Sequence, residues 1–281
     1  MRRNTALLLL TVLIGVTLVI WIQVFAREST HNLRVVFLNV GQGDAIYIET
    51  PSRRQVLIDG GRGNDVLREL GAVMAFFDRS IDIVVATHPD ADHIGGLVSV
   101  LKRYDVGTFM HSSVEGDTAL AHQLTDARGD AFDLEAQRGQ VIDFGDGAQL
   151  RVLFPDREVE GIDPNVGSVV VHVVYGEHGF LLTGDSPDEI EEYLVSLDDE
   201  QLESDVLKIG HHGSKTSSSD LFLGFVNPVY GVLSRGCGNS YGHPHQEVLD
   251  ALSRFEIKVL DTCEDGRVEF VSDGVLLRVR N

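Results

Sequence analysis

Residues 81–96 read Ile-Asp-Ile-Val-Val-Ala-Thr-His-Pro-Asp-Ala-Asp-His-Ile-Gly-Gly. The near-continuous apolar run predicts a strand buried on both faces. Directly behind it stand two histidines and two aspartates within six residues. A lone His or Asp after a strand is usually part of a turn, but four potential metal ligands together point to a site. His88 and Asp90, two apart in an extended segment, point the same way. Asp92 and His93 come from the next turn and can face a second ion about 3.5–4 Å away.

Four other places share the pattern of polar groups or glycines just past an apolar run. They are Asp59-Gly60-Gly61 after QVLI, Gly184-Asp185 after FLLT, His211-His212-Gly213-Ser214 after DVLKI, and Tyr241-Gly242-His243-Pro244-His245 beyond PVYGVLS. Strand ends in mixed α/β folds converge on one edge, where sites form. Asp185 is placed to bridge two ions and His211 to complete the second. Imidazole and carboxylate ligands suit Zn²⁺, and the carboxylate share keeps Mn²⁺ open.

Three antiparallel strands (RVVFLNV, AIYIET, QVLID) precede this stretch, with a helix over DVLRELGAVMAFF. A second helix is expected over IGGLVSVLKRY. The second half carries strands around QVIDF, AQLRVLFP, SVVVHVVYG, GFLLTGD, DVLKIG, PVYGVLS and IKVLDT, with helices over SPDEIEEYLVSL and HQEVLDALSRF. Periodicity supports an α/β fold with mixed sheets. Cys237 and Cys263 are the two cysteines, and admit one disulfide or two free thiols. Parallel neighbours joined by a right-handed crossover through HQEVLDALSRF would bring them within reach.

Residues 1–26 read as a membrane anchor or a signal peptide: MRRN, then about 20 residues without a charge, long enough for a transmembrane helix. Arg2 and Arg3 place the chain beyond about residue 27 outside the cytoplasm. Residues 27–33 form a spacer, and 34–281 one domain. The net charge of −20, with 43 Asp+Glu against 23 Lys+Arg, repels nucleic acid and anionic membrane at long range. Nucleic-acid chemistry would have to rest on a local basic rim, for which Arg62, Lys208, Lys215 and Arg235 are the candidates, or on bound metal.

THPDADHIGG, LIDGG, LLTGD and GHHGS together resemble the metallo-β-lactamase superfamily, in the variant HxDxDH of its leading motif. FLNVGQGDA, NVGSVVVHVVYGEHGFLLTGD, GHHGSKTSSS and NSYGHPHQEVLDAL resemble the extracellular hydrolase domain of the ComEC competence-protein family and its stand-alone relatives, over roughly residues 34–280. The resemblance implies a four-layer αββα sandwich. It implies His88 and Asp90 as ligands of a first ion, Asp92 and His93 of a second, Asp185 as the bridging carboxylate and His211 as the last histidine, with His212 the alternative. It also implies a Cys237–Cys263 disulfide. Asn39 stands where the family usually has Asp. Many members supply a further His to the first ion; here Asn165 and Ser168 stand near that place, so this ion is expected to be loosely held. His111, His122 and His178 do not occur in a comparable context, and His172 within VVVHVVYG reads as a sheet residue.

The expected function is an extracytoplasmic metal-dependent hydrolase, a phosphodiesterase or nuclease acting on DNA through a metal-activated hydroxide. Asp92 would ligate and orient the nucleophile. His243 or Lys215 would stabilise the transition state or protonate the leaving group, and Asp59 would buttress the ligand loops. Alternatives are a metallo-hydrolase of a cell-wall ester, lactone or β-lactam, and a non-catalytic metal-stabilised surface module. Expected partners are DNA or another phosphodiester, the membrane through the N-terminal helix, and a separate membrane channel protein. If the N-terminal segment is cleaved, the domain is secreted.

Overall fold

The computed structural model describes residues 2–27, 32–114, 116–157 and 163–280. It divides into two units, Met1–His31 and Asn32–Asn281. The first holds α1 (Arg2–Arg27), one 26-residue helix. Its described side chains from Leu7 to Trp21 leave their large apolar groups exposed. Among the described residues no helix is long and apolar enough to cross a membrane. The structure therefore supports a helix where a transmembrane span was expected, and not the span. Most of the expected spacer, 28–31, lies outside the described residues.

The second unit opens with three antiparallel strands, β1 (Leu33–Phe37), β2 (Ile46–Glu49) and β3 (Gln55–Ile58). After α2 (Asp65–Val73) the sheet grows in parallel. β4 (Ser80–Ala86) is followed by α3 (Ala91–Ile94) and α4 (Leu97–Leu101), then β5 (Asp105–His111), α5 (Ala119–Ala127) and β6 (Phe132–Glu135). The second sheet starts as an antiparallel meander of β7 (Val141–Asp143), β8 (Ala148–Phe154), β9 (Val170–Tyr175) and β10 (His178–Leu182). It continues in parallel through α6 (Asp188–Asp198), β11 (Val206–Lys208), α7 (Asp220–Val226), β12 (Tyr230–Leu233), α8 (Gln246–Arg254) and β13 (Lys258–Asp261). β14 (Val268–Ser272) and β15 (Leu277–Arg280) return to the first sheet beside β1. The strand orders are β15-β14-β1-β2-β3-β4-β5-β6 and β13-β12-β11-β10-β9-β8-β7.

Strand alternation sorts the side chains into three cores. Val35, Phe37, Ile83 and Val85 of the first sheet meet Val171, Val173, Phe180 and Leu182 of the second. On the next positions, Val36, Val84 and Ala86 face the other way, onto Leu70, Leu97 and Leu124 of α2, α4 and α5. Val170, Leu181 and Leu207 likewise face Leu194, Phe222 and Leu252 of α6, α7 and α8. Two sheets with a core between them and a helical layer behind each make the four layers α, β, β, α.

Two helices differ from the sequence expectation. The helix expected over 65–77 stops at Val73, whose carbonyl accepts from Arg34 Nη1 at 3.4 Å; Phe76 and Phe77 beyond it are 76% and 90% exposed. The helix expected from Ile94 breaks at Gly95-Gly96, where the loop after β3 crosses it. A Cβ on Gly96 would lie 2.0 Å from the Gly60 carbonyl oxygen, and one on Gly95 2.2 Å from that of Arg62. Reciprocal hydrogen bonds lock the crossing: Gly60 N–H donates to His93 O at 2.7 Å and Gly96 N–H to Gly61 O at 2.9 Å.

His172 is a sheet residue. It lies in β9, its Nε2 meets Ser204 Oγ at 3.0 Å, and burial lowers its pKa to about 4. Cys237 and Cys263, beyond β12 and β13, form a disulfide with Cα atoms 5.1 Å apart. The parallel pairing of those strands, with α8 as the crossover, brings them together.

Candidate metal centre

Five loops meet at the carboxyl ends of β3, β4, β10, β11 and β12, and Asp185 lies at their centre. Its Oδ2 is 3.2 Å from His93 Nε2, 3.3 Å from His212 Nε2, 3.6 Å from His211 Nε2 and 3.9 Å from His88 Nε2. His93 Nε2 and His212 Nε2 are themselves 3.3 Å apart. Ligand atoms on one tetrahedral zinc ion, with Zn–N bonds of about 2.0–2.1 Å, stand about 3.3–3.4 Å from each other. The triangle of His93, His212 and Asp185 atoms has those edges.

The other ring nitrogens are all engaged, and this fixes which atoms face inward. Thr87 Oγ1 donates its one proton to Asp59 Oδ2 at 2.7 Å, so at 3.0 Å from His88 Nδ1 it must accept. His88 therefore carries its proton on Nδ1, and its buried Nε2 has no hydrogen-bond partner. A bare lone pair aimed at the Asp185 carboxylate is two acceptors with nothing to share, the arrangement that a cation between them satisfies. His93 Nδ1 donates to the Asp59 carboxylate at 2.7 Å, and His212 Nδ1 to the Ser234 carbonyl at 2.8 Å. Asp59 also accepts from Thr87 N–H at 2.9 Å, tying the β3 loop to the β4 loop.

Charge in the cluster follows from this geometry. Burial disfavours charge on His93, but Asp185 and Asp59 override it and push the imidazole up to about 10. His212 is raised in the same way, by Asp185 and Asp44 against burial. His88 is held well below its ordinary value, by burial and then by neighbouring His93. Burial would raise Asp185, yet His212, His93 and Lys208 hold it well below the usual carboxylate range. The core of the site is buried and strongly favours positive charge.

Two of its members were not among the sequence candidates for the site. Asp44, from the turn after Gly-Gln-Gly, belongs to a buried group with His93, Asp185 and His212 whose ligand atoms all lie within 4.8 Å of one another. Lys208, expected at a basic rim, is 0% exposed. Its ammonium spends its donors on Asp44 Oδ2 at 2.7 Å, Asp185 Oδ1 at 3.2 Å and the Gly184 carbonyl at 2.6 Å. This ammonium takes Asp44 Oδ2, making Asp44 a counter-ion to Lys208, while Asp44 Oδ1 is buried without a hydrogen-bond partner beside the cluster. Burial of both groups makes that pairing obligatory. Asp44 is a carboxylate behind a strand end, like the other site residues, and Lys208 is a lysine inside an apolar strand; these were the available signals.

The other sequence candidates surround this core. Asp90 Oδ2 is 3.9 Å from His88 Nε2 and half exposed. Asp92 Oδ2 is 3.5 Å from His212 Nε2. His211 and His212 share a tight turn with φ of 46° and 56°; His212 is buried, while His211 is 27% exposed at the edge of the cluster. Ser168 Oγ contacts His88 Nδ1 at 3.3 Å and accepts from Asp185 N–H at 3.3 Å, so it steadies both. Asn165 N–H donates to Asp163 Oδ1 at 2.9 Å, and its own side-chain oxygen is buried without a partner. Asn39 Oδ1 accepts from Gly41 N–H at 3.4 Å within the turn.

His243 is 9% exposed, with its ring centroid 5.6 Å from that of His211. Burial and then His211 lower its pKa to about 4. Asn239 brackets its backbone, accepting from His243 N–H at 3.0 Å and donating to its carbonyl at 2.8 Å. Lys215 is exposed and lines a separate cavity of about 320 Å³ with Asp188, Asp220 and Glu247. Arg235 is paired with Asp261 at 2.6 Å. With Lys208 buried and Arg235 neutralised, the expected basic rim keeps only Arg62 and Lys215 exposed.

Residues 38–236 match the family described as the metallo-beta-lactamase superfamily. The chain is 31% identical over 294 residues to ComE operon protein 3 of Bacillus subtilis (strain 168), covering 96% of this chain and 37% of that protein. It is 34% identical over 238 residues to Competence protein ComA of Neisseria gonorrhoeae, covering 84% and 32%. Both are members of the ComEC family, and the chain spans about a third of their length. Among solved structures, the metallo-beta-lactamase fold protein YhfI from Bacillus subtilis matches with a TM-score of 0.54 at 16% identity, over 83% of this chain and 98% of that one.

Proposed function

The chain belongs to the metallo-beta-lactamase superfamily, and from that membership we propose that it is a metal-dependent phosphodiesterase acting on DNA. The observation that carries the reading is the convergence of four imidazole Nε2 atoms on one carboxylate oxygen, Asp185 Oδ2. The charge balance supports two ions. Asp44, Asp59, Asp90, Asp92 and Asp185 against Lys208 give five negative charges and one positive. With neutral imidazoles the remainder is four, the charge of two divalent cations.

In this reading His93, His212 and Asp185 would hold one ion, and His88, Asp90 and Asp185 the other, with His211 and Asp92 at the open edge. Divalent ions bound there would supply a water acidified towards neutral pH and charge stabilisation for displacement at phosphorus. Zn²⁺ suits the imidazole share and Mn²⁺ the carboxylate share. Asp59 fixes His93 so that Nε2, and not Nδ1, faces inward, and Lys208 keeps Asp185 Oδ1 occupied so that Oδ2 is presented. Asp92 orients the nucleophile. His243, neutral above about pH 4, offers a ring N–H to a substrate oxygen, its backbone fixed by Asn239 and its loop by the Cys237–Cys263 bond.

Phosphodiesters are favoured over esters and lactones because one relative is named a competence protein and paired ions suit phosphoryl transfer. With a net charge of −20 and only Arg62 and Lys215 exposed among the four rim candidates, the ions themselves would supply the attraction for phosphate. The disulfide supports work outside the reducing cytoplasm. The exposed apolar run of α1 supports a membrane tether, and a separate channel protein is the partner such a tether would place beside it.

The test is hydrolysis of a single-stranded oligonucleotide and of bis(p-nitrophenyl) phosphate, with Zn²⁺ or Mn²⁺, beside a double variant Asp92→Ala, His93→Ala. Both substrates are expected to be cleaved only with metal and only by the unmodified chain. Cleavage of the small diester alone would point to another phosphodiester. No cleavage of either, with metal bound, would refute the reading and turn the search to esters and lactones.

A further inference from the structure

A cavity of about 460 Å³ lies between α5 and the carboxyl ends of β4, β5 and β6. His88 forms part of its wall, the same residue whose Nε2 faces Asp185, so the cavity adjoins the metal centre. Phe109 and Leu124 give it apolar walls, and Arg128, Asp133 and Glu135 stand around it. Its size is at the low end of small-molecule pockets, about 300–1,000 Å³, right for one planar group and too small for a duplex.

The polar groups narrow the occupant. Arg128 is held in place: its guanidinium lies 4.6 Å over the Phe109 ring, and Nη1 donates to Asp133 at 2.7 Å. Its Nε–H is buried and has no acceptor. An occupant that brings an acceptor satisfies Arg128 Nε, and it also meets the carboxylates of Asp133, already held by Arg128, and Glu135 at the rim, which favour donors and repel anions. A phosphate satisfies Arg128 and is repelled by the carboxylates. A nucleobase suits both, with ring carbonyls and nitrogens as acceptors, amino groups as donors, and flat faces for the apolar walls.

We propose that this cavity receives the base of the nucleotide flanking the scissile phosphate, splayed out of its strand. The proposal rests on the phosphodiesterase reading of the adjoining centre and adds to it a recognition element: a pocket for one base of the strand, beside the scissile phosphate. A strand in a duplex cannot present a base this way without the cost of unpairing it.

Thr125 lines the cavity from the exposed side of α5, so Thr125→Trp fills the space without disturbing the core. Glu135→Gln removes one carboxylate charge at the rim. For each variant, kcat/KM on a single-stranded oligonucleotide is expected to fall at least tenfold more than kcat/KM on bis(p-nitrophenyl) phosphate, which has no base, and mainly through KM. Saturation-transfer NMR with deoxyguanosine, which has no phosphate for the metals, is expected to show base protons in contact with the unmodified protein and not with Thr125→Trp. Equal losses on both substrates, or no contact with the nucleoside, would overturn the base pocket while leaving the phosphodiesterase reading intact. Failure of the unmodified protein to cleave the oligonucleotide would overturn both.

Discussion

If the proposed centre holds, Asp185→Asn is expected to lower kcat/KM on phosphodiesters by at least about a thousandfold, because Asp185 would supply the charge that both ions share. The asparagine keeps the size and still offers an oxygen to Lys208, so the fold should persist. Metal affinity should drop by more than about a hundredfold, since the role proposed for Asp185 is that of a ligand, and loss of a merely supporting residue typically costs 10–100-fold. Competition with a chromophoric chelator reads the affinity, and circular dichroism checks the fold. A variant that binds metal as tightly as the unmodified chain would remove Asp185 from the centre and with it the bridging role.

Lys208→Met should act on stability. The methionine retains most of the volume but leaves the Asp44 carboxylate, buried and 2.7 Å from the lost ammonium, without its counter-charge. Breaking a buried ion pair from one side typically costs about 3–5 kcal/mol, and for a domain of this size the fall in Tm should be on the order of 10 °C. Adding Asp44→Asn to Lys208→Met should recover part of the loss, because the orphaned charge is then gone. A single variant with an unchanged Tm, or a double variant that loses as much as the two singles combined, would show that Lys208 and Asp44 do not act as a pair.

Much of this architecture was legible in the chain. The strand-end pattern at Asp59, His88 to His93, Asp185 and His211-His212 marked loops that the structure does bring to one edge, because each polar group stands directly behind a buried strand. The disulfide was legible from the order of β12, α8 and β13, since a right-handed crossover leaves the two strand ends as neighbours. What was hidden depended on contacts between distant segments. Asp44 stands in a Gly-rich turn and reads as turn chemistry until Asp92 O, accepting from Asp44 N–H at 3.2 Å, places it beside the ligand loop. Lys208 reads as surface charge by residue type, although its position within Val-Leu-Lys-Ile marked it for burial. The helix from Ile94 was read too long because local periodicity carries no information about the β3 loop crossing at Gly95-Gly96. Between the adjacent His211 and His212, the resemblance put His211 first and His212 second; the turn at φ 46° and 56° buries His212 in the cluster and leaves His211 at its edge.

The most direct test of the central claim, that Asp185 is the shared ligand of a metal pair, is anomalous diffraction at the zinc edge from crystals grown with Zn²⁺. Scattering is expected against Asp185, strongest on the side of His93 and His212 and weaker toward His88 and Asp90. An ordered centre bound elsewhere in the chain, or no scatterer at Asp185 with zinc in excess, would contradict the account.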